Sequence, residues 1–341
     1  MRADSIQLAQ RLTAFIREHT ADNEARVSEV VPLPGHAGVS YRFLHEGLGA
    51  GAARSEALVI RLAPLGVPPI GPNDIARQGR IMAALAGAPA SRVAVPPIRW
   101  WGEETKWFGR PFFIADFVAG DKPALGERIF SPDEMRRCSL ATVEAAAALH
   151  RLDWRSYSES FGAVIGLASE IAAWDRLLQR PLIEKKLIER SPILRARLLA
   201  AIPATPRVGC VHGDFQWSNC LFKDGSLAAI IDWELAHIGA VMLDLGWLCM
   251  FSDRGCWVTG DLVPSACPAP EEIAESYQGA AGERTDDNQV RWFRALSCFR
   301  FGAITAFNLM LHRRGKRPDE MWETFALSAP RLFERGLELL G

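Results

Sequence analysis

Three oxygen-bearing side chains near the middle of the sequence have types and spacing suited to holding a cation and accepting a proton. Asp214 and Asn219 lie five residues apart in VHGDFQWSNCLF (211–222), and Asp232 follows in IIDWE. Apolar residues flank these groups, and a polar group left unpaired in such surroundings costs free energy. The stretch is therefore either a polar turn or a reaction centre.

The chemistry divides the three residues between two tasks. Hard cations such as Mg²⁺ prefer oxygen ligands and keep several waters, so one amide carbonyl and one carboxylate suffice when phosphates complete the shell. Asn219 and Asp232 suit that role, which leaves Asp214 as the base for an attacking hydroxyl. Each residue alone is also typical of a turn. The order of base, amide and carboxylate is typical of phosphoryl-transfer enzymes with a kinase-like fold.

The N-terminal third of the chain, which must help to position these groups, is predicted to be rich in strands. An apolar stripe along residues 5–19 indicates an amphipathic helix, and a second helix is expected at about 74–86. Five short segments rich in β-branched or aromatic residues indicate antiparallel strands. These segments are 27–33, 39–45, 57–63, 98–103 and 111–118.

The rest of the chain is predicted to be mainly helical. Ser131 with Glu134, and Pro132 between them, gives the capping-box start of a helix. Three short strands near 207–234 surround the polar groups. The predicted fold class is α+β, with a small antiparallel-sheet N-terminal lobe (1–118) and a larger, mainly helical C-terminal lobe (119–341) that begins in an irregular linker.

Composition excludes several classes of protein. Hydrophobic residues make up 49% of the chain and charged residues 23%, which is typical of a globular enzyme. Lys and Arg number 39 against 40 acidic residues, so no global basic field attracts nucleic acid or an anionic membrane. The seven cysteines show no CxxC pair, and no secretory leader is evident, which favours the cytoplasm. Charges interrupt every apolar run before the roughly 18 residues that span a bilayer.

HGDFQWSN and IIDWE together resemble the aminoglycoside phosphotransferase and choline kinase-like family, over nearly the whole chain. The resemblance implies a bilobal protein-kinase-like fold with ATP between the lobes. It also implies Asp214 as catalytic base and Asn219 and Asp232 as Mg²⁺ ligands. The stretch AFNLMLHRRGKRPDEMWETFA (306–326) resembles bacterial relatives of the kinase-like domains that accompany acyl-CoA dehydrogenases.

The resemblance also implies phosphate-binding groups in the N-terminal lobe. The loop PGHAGVS (34–40) offers Gly35 and Gly38, where backbone amides could face phosphate oxygens, and the hydroxyl of Ser40. Arg61 in the third strand stands where family members have Lys or Arg. Strand alternation places Arg61 on the opposite face from Ile60 and Leu62.

Two further nucleotide contacts are expected, one of them unusual. Gln78 stands in ARQGRIMAAL where the family usually has a glutamate that pairs with the cation. We therefore expect Gln78, or Asp74 one helical turn before it, to orient Arg61. The adenine edge is expected to bond the backbone at Asp116 and Val118.

Residues after IIDWE both match and depart from the family pattern. Asp244 matches an acidic residue that is expected to brace the catalytic turn, whereas 239–241 (GAV) replaces a usual GDP. His212 is expected to be structural, and Trp217, Trp233 and Trp247 are expected to be core residues rather than a cation cage.

The sequence predicts an enzyme that depends on ATP and Mg²⁺ and phosphorylates a hydroxyl of a small molecule. Two other classes stay open: a nucleotide-binding module without transferase activity, and a metal-dependent phosphoesterase. The resemblance implies a polyol or amino sugar acceptor, but the family also phosphorylates choline, homoserine, macrolides and hydroxylated acyl thioesters. The acceptor and the oligomeric state are therefore left undetermined by the sequence.

Overall fold

The chain folds into two compact units in a computed structural model that describes residues 2–33, 39–49, 52–68, 70–87, 93–123, 130–259, 262–263 and 266–341. The N-terminal unit comprises 1–120 and 228–236, and the C-terminal unit comprises 121–227 and 237–341. The predicted division placed the lobe boundary two residues earlier, after 118, and it assigned 228–236 to the C-terminal lobe. A backbone hydrogen bond ties 228–236 to the N-terminal unit, because Ile230 N–H donates to the carbonyl of Ala94 at 2.7 Å.

The N-terminal unit is built on a five-stranded antiparallel sheet, as predicted. Its strands are β1 (Arg26–Leu33), β2 (Val39–Gly49), β3 (Ala52–Leu62), β4 (Ile98–Gly102) and β5 (Phe112–Asp116). They are arranged in the order β1-β2-β3-β5-β4. Every neighbouring pair is antiparallel.

The two faces of this sheet have different partners. Helix α1 (Arg2–Thr20) buries Leu12 and Phe15 in one cluster with Ile60 and Leu62 of β3. Because side chains alternate along a strand, Arg61 lies on the other face, as predicted. Helix α2 (Ile75–Ala86) packs on that second face, where a Cβ at Gly79 would lie 2.8 Å from the Cβ of Phe113.

The C-terminal unit is mainly helical. Its described helices are α3 (Pro132–His150), α4 (Ser158–Phe161), α5 (Leu167–Leu178), α6 (Ser191–Ala200), α7 (Met242–Ser252), α8 (Pro270–Ala281), α9 (Asp287–Arg313), α10 (Met321–Ala326) and α11 (Ala329–Leu340). The predicted capping box at Ser131 is confirmed, with Ser131 and Glu134 exchanging backbone–side-chain hydrogen bonds. Among the described residues, no helix is both long and apolar enough to cross a membrane.

The polar residues between 212 and 232 lie on and between short strands. β6 (Val208–Val211) pairs antiparallel with β9 (His237–Ala240), a strand that the sequence did not predict. β7 (Cys220–Lys223) and β8 (Ser226–Ile230) form a second two-stranded sheet. Asp224 and Gly225 between them have φ of 51° and 77°. Positive φ at both central residues gives the turn that suits a two-residue hairpin.

Candidate active site

Asp214 is held by side-chain N–H groups that donate to both of its carboxylate oxygens. Oδ1 accepts from Gln216 Nε2 at 2.8 Å and from Trp247 Nε1 at 2.9 Å. Oδ2 accepts from Asn219 Nδ2 at 2.8 Å, and the same amide nitrogen donates to the Asp214 carbonyl. The structure thus brings together the predicted base and one predicted metal ligand.

Asp244 braces the backbone immediately before Asp214, as predicted. Its Oδ2 accepts the N–H of His212 at 2.8 Å, and its Oδ1 accepts the N–H of Gly213 at 2.9 Å. Its Oδ2 also lies 3.1 Å from His150 Nε2, and His150 Nδ1 contacts the hydroxyl of Tyr277. Burial alone raises the pKa of Asp244, but the bonds and charges of His150 and His212 outweigh it and hold that pKa below its ordinary value.

A buried arginine that the sequence analysis missed lies under the same loop. Arg300 of α9 donates from Nη2 to the carbonyl of Gly213 at 2.5 Å. Its guanidinium lies 4.4 Å from the ring of Trp247 and 4.8 Å from that of Trp174. Burial lowers the pKa of Arg300 against the opposing charges of nearby carboxylates. The sequence feature that could have indicated a buried arginine is its position within the apolar run CFRFGAITAF (298–307).

Arg61 and Asp232 meet in the N-terminal unit. Arg61 Nη1 lies 2.9 Å from Asp232 Oδ1, and Arg61 Nη2 lies 3.3 Å from Glu234 Oε2. Asp232 adopts a left-handed backbone conformation, with φ of 68° and ψ of 55°. Such a conformation is uncommon outside glycine and recurs at functional sites.

The structure corrects the expected partner of Arg61. Asp74 caps α2 by accepting the N–H of Arg77 at 3.0 Å, and Gln78 Nε2 donates to the Pro72 carbonyl at 3.1 Å. The second acid beside Arg61 is instead Glu234, from the segment that returns to the N-terminal unit. The hypothesis that Asp74 or Gln78 orients Arg61 is therefore wrong.

Ser40 lies beside Arg61 across the sheet. The two residues face each other in the β2–β3 register, and side chains of directly opposed residues share a face with Cβ atoms about 5 Å apart. Gly35 and Gly38, the other predicted phosphate-binding positions, lie outside the described residues.

The backbone after β5 has hydrogen-bonding groups that suit an adenine edge. Asp116 N–H donates to the carbonyl of Pro97, and Phe117 N–H donates to that of Ala57, both at 2.9 Å. Pro97 has no N–H with which to return the bond. The Asp116 carbonyl and the Val118 amide are therefore the groups that fit the predicted adenine contact best.

The chemistry of Asn219 and Asp232 fits a hard cation. Both described side-chain bonds of Asn219 use Nδ2 as donor, so its Oδ1 is the atom suited to a metal. The Asp232 carboxylate is one-third exposed and shares Oδ1 with Arg61. Oxygen donors of this kind suit Mg²⁺. No group of three His, Cys, Asp or Glu side chains with metal-binding geometry occurs in the described parts of the chain.

The tryptophans and cysteines near these residues belong to the core. Trp217, Trp233 and Trp247 are at most 2% exposed, which confirms their predicted place in the core. All seven cysteines are free thiols. Burial raises the pKa of Cys220 and of Cys249 to about 12, so both thiols are protonated at neutral pH.

A cavity of about 260 Å³ lies elsewhere in the C-terminal unit, between segment 182–187 and the last turns of α9. Its lining residues are Leu182, Glu184, Leu187, Ala306, Leu309, Met310, Arg313 and Arg314. Arg313 pairs with Glu184 and Glu323. Arg314 has no ion pair among the residues that the structure describes.

Comparison with known proteins identifies the family. Residues 30–292 match the model of the phosphotransferase enzyme family, and the chain belongs to that family. Acyl-CoA dehydrogenase family member 11 of Rattus norvegicus is 26% identical over 96% of this chain. The alignment covers 42% of that protein, so the chain spans less than half the length of this relative.

Solved structures show the fold to be kinase-like. A Ralstonia eutropha protein, provisionally assigned as an aminoglycoside phosphotransferase, superposes with a TM-score of 0.76 at 22% identity over 97% of both chains. The GDP complex of aminoglycoside 2'-phosphotransferase-IIIa superposes with a TM-score of 0.63 at 17% identity, over 97% of this chain and 99% of that one. The predicted fold class is thereby confirmed.

Proposed function

We propose that this protein is a cytoplasmic, ATP- and Mg²⁺-dependent kinase that transfers the γ-phosphoryl group to a hydroxyl of a small molecule. The observation that carries the proposal is the Asp214 carboxylate, which accepts hydrogen bonds from Gln216, Asn219 and Trp247. A base whose orientation is fixed in advance fits proton removal from an attacking hydroxyl. Membership of the phosphotransferase enzyme family supports the same reaction class.

Each proposed site residue has one task. Asp214 accepts the proton of the acceptor hydroxyl, and Asn219 Oδ1 and the Asp232 carboxylate hold Mg²⁺. The bound ion would neutralise phosphate charge. Arg61 and Ser40, together with Gly35 and Gly38, bind phosphate oxygens.

The adenine end of the nucleotide has its own proposed contacts. The Asp116 carbonyl and the Val118 amide bind the adenine edge through the backbone, so side-chain identity matters little there. Gln78 supports this site indirectly, because its bond to the Pro72 carbonyl fixes the start of α2.

The decisive variant is Asp214→Asn, which keeps the size of the side chain and removes the base. We expect MgATP affinity within about twofold of wild type and turnover lower by about 10²- to 10⁴-fold, the usual contribution of a general base. The measurements are calorimetric titration with MgATP and release of ADP. Undiminished turnover would exclude Asp214 as the base. Nucleotide binding without any turnover in wild type would instead favour a nucleotide-binding module.

A second proposal concerns the acceptor: an anionic molecule with an apolar segment, such as a hydroxyacyl thioester, in preference to a polycationic aminoglycoside. The 260 Å³ cavity supports it, because leucine, methionine and alanine side chains line it together with the charged side chains of Glu184, Arg313 and Arg314. The similarity to acyl-CoA dehydrogenase family member 11 points to the same class of molecule.

The acceptor proposal is tested by screening phosphate transfer from labelled ATP to aminoglycosides, amino alcohols and hydroxyacyl-CoA thioesters. We expect transfer to the thioesters, and a KM for them that rises in Arg314→Ala. Arg137→Ala, which removes an exposed arginine of α3, is the matched control. Transfer confined to aminoglycosides would contradict this proposal and leave the kinase assignment intact.

A further inference from the structure

Trp247 links the Asp214 carboxylate to the helical body of the C-terminal unit. Its indole Nε1 donates to Asp214 Oδ1 at 2.9 Å, across 33 residues of sequence. Gln216 and Asn219 also donate to this carboxylate, but they lie within five residues of it and belong to the same loop. Trp247 is part of helix α7 and is 1% exposed. Its position is therefore set by the core and not by the loop.

The indole ring is itself fixed on several sides. The guanidinium of Arg300 lies 4.4 Å from the ring centre, a distance typical of a cation–π contact. Phe251 and Phe301 meet the ring edge to face, at 5.3 Å and 5.9 Å between ring centres. Arg300 also donates to the carbonyl of Gly213, the residue before Asp214. One buried guanidinium thus contacts both the backbone before Asp214 and the ring that bonds its carboxylate.

We propose that Trp247, clamped by Arg300, is a positioning residue that fixes the rotation of the Asp214 carboxylate for proton transfer. The inference rests on the kinase function proposed above. Oδ1 already accepts two N–H groups, from Gln216 and Trp247, which occupy both of its lone pairs. The hydroxyl proton is transferred to this carboxylate, whose rotation the indole N–H fixes. The O–H bond of the acceptor breaks and its proton passes to the Asp214 carboxylate, while the acceptor oxygen bonds to the γ-phosphorus of ATP. The bond between that phosphorus and the β–γ bridging oxygen breaks, ADP leaves with the bonding electron pair, and the proton later passes from the carboxylate to solvent.

The matched pair of variants is Trp247→Phe and Trp292→Phe. Each removes one buried indole N–H and leaves an aromatic ring, but Trp292 donates to the Leu198 carbonyl of α6 and not to the Asp214 carboxylate. The assay is hydrolysis of MgATP with water in place of the acceptor. We expect kcat to fall about tenfold in Trp247→Phe, which is the effect of one hydrogen bond, with KM for ATP within twofold. We expect kcat in Trp292→Phe to stay within twofold of wild type.

A spectroscopic measurement tests the bond without any activity. The indole Nε1–H resonance of Trp247 in ¹⁵N-labelled protein is assigned by its loss in Trp247→Phe. We expect this resonance to shift in Asp214→Ala, whereas that of Trp292 stays in place. An unmoved Trp247 resonance, or equal kcat in the two Trp→Phe variants, would overturn the positioning role. An inactive wild type in which the resonance shifts would overturn the kinase function and leave the contact established.

Discussion

The Asp214 loop and the Arg61 cluster hold their charged groups in different ways. The loop is braced by Asp244, His150 and Arg300, which are at most 2% exposed. The Arg61 cluster consists of ion pairs to Asp232 and Glu234, whose side chains are 33% and 19% exposed. Breaking a buried hydrogen bond leaves a polar group unpaired and costs free energy, whereas a partly exposed ion pair can be replaced by other partners at little loss of free energy.

This difference suits the tasks proposed for the two regions. A base must hold one orientation through every turnover, so a buried network around it is an advantage. Arg61 must leave carboxylates for phosphate oxygens when the nucleotide binds, so moderate ion pairs are sufficient. The comparison predicts large effects on folding stability in the loop and effects mainly on ligand affinity in the cluster.

Asp244→Ala should have the largest effect on stability. It leaves the buried N–H groups of His212 and Gly213 without their acceptor and His150 without its partner. We expect the free energy of unfolding to fall by about 3–5 kcal/mol, as when a buried ion pair is broken. Urea denaturation measures the change, and Asp244→Asn, which keeps one acceptor oxygen, should lose less. If the free energy of unfolding of Asp244→Ala fell by less than about 1 kcal/mol, the Asp214 loop would not differ from the Arg61 cluster in its contribution to stability.

Arg61→Ala should act on nucleotide affinity. Removing a charge-assisted hydrogen bond costs about 1.5–3 kcal/mol, or roughly 10- to 100-fold in the Kd for MgATP. Calorimetric titration gives the Kd. The Kd of Arg61→Lys, which keeps the charge without the planar guanidinium, should lie between those of wild type and Arg61→Ala. If the variant bound MgATP like wild type but unfolded more easily, the Arg61 cluster would be structural.

The features that the sequence predicted depend on local pattern. These features are the apolar stripe of α1, the alternation that places Arg61 on the opposite face from Ile60, and the capping box at Ser131. Each follows from residues that are between one and four positions apart in the sequence. Local spacing also indicated Asp214 and Asn219, which the structure joins by a hydrogen bond of 2.8 Å.

The features that the sequence missed depend on contacts between distant residues. Trp247 bonds Asp214 across 33 residues, Arg300 bonds Gly213 across 87, and Glu234 bonds Arg61 across 173. Periodicity and spacing carry no information on such pairs. The Gln78 position shows the consequence: the sequence revealed a missing acid on α2, but only the fold showed that Glu234 lies beside the arginine instead.

The stability of the protein in acid should depend on Asp244, which braces the Asp214 loop. The pKa of Asp244 is lower in the native protein than its ordinary value near 3.8. Asp244 therefore stabilises the native state above that value, and this contribution is lost as pH falls through the native pKa. We expect urea midpoints to decline below about pH 4 in wild type and to decline less steeply in Asp244→Asn. If the urea midpoints of wild type and Asp244→Asn declined equally steeply with falling pH, Asp244 would not control the loss of stability in acid.

Glu234→Gln should have the smallest effect and tests the cluster most directly. The contact of Glu234 with Arg61 is 3.3 Å long and Arg61 keeps Asp232 at 2.9 Å, so we expect a stability loss under about 1 kcal/mol. The Kd for MgATP should fall slightly, because one of the two carboxylates that compete with phosphate for Arg61 has become neutral. Urea denaturation and calorimetric titration of this variant measure the two quantities. If the free energy of unfolding fell by about 3 kcal/mol, Glu234 would contribute to stability as much as the buried residues that brace the Asp214 loop. If the Kd for MgATP rose, Glu234 would orient Arg61 for the nucleotide instead of competing with it.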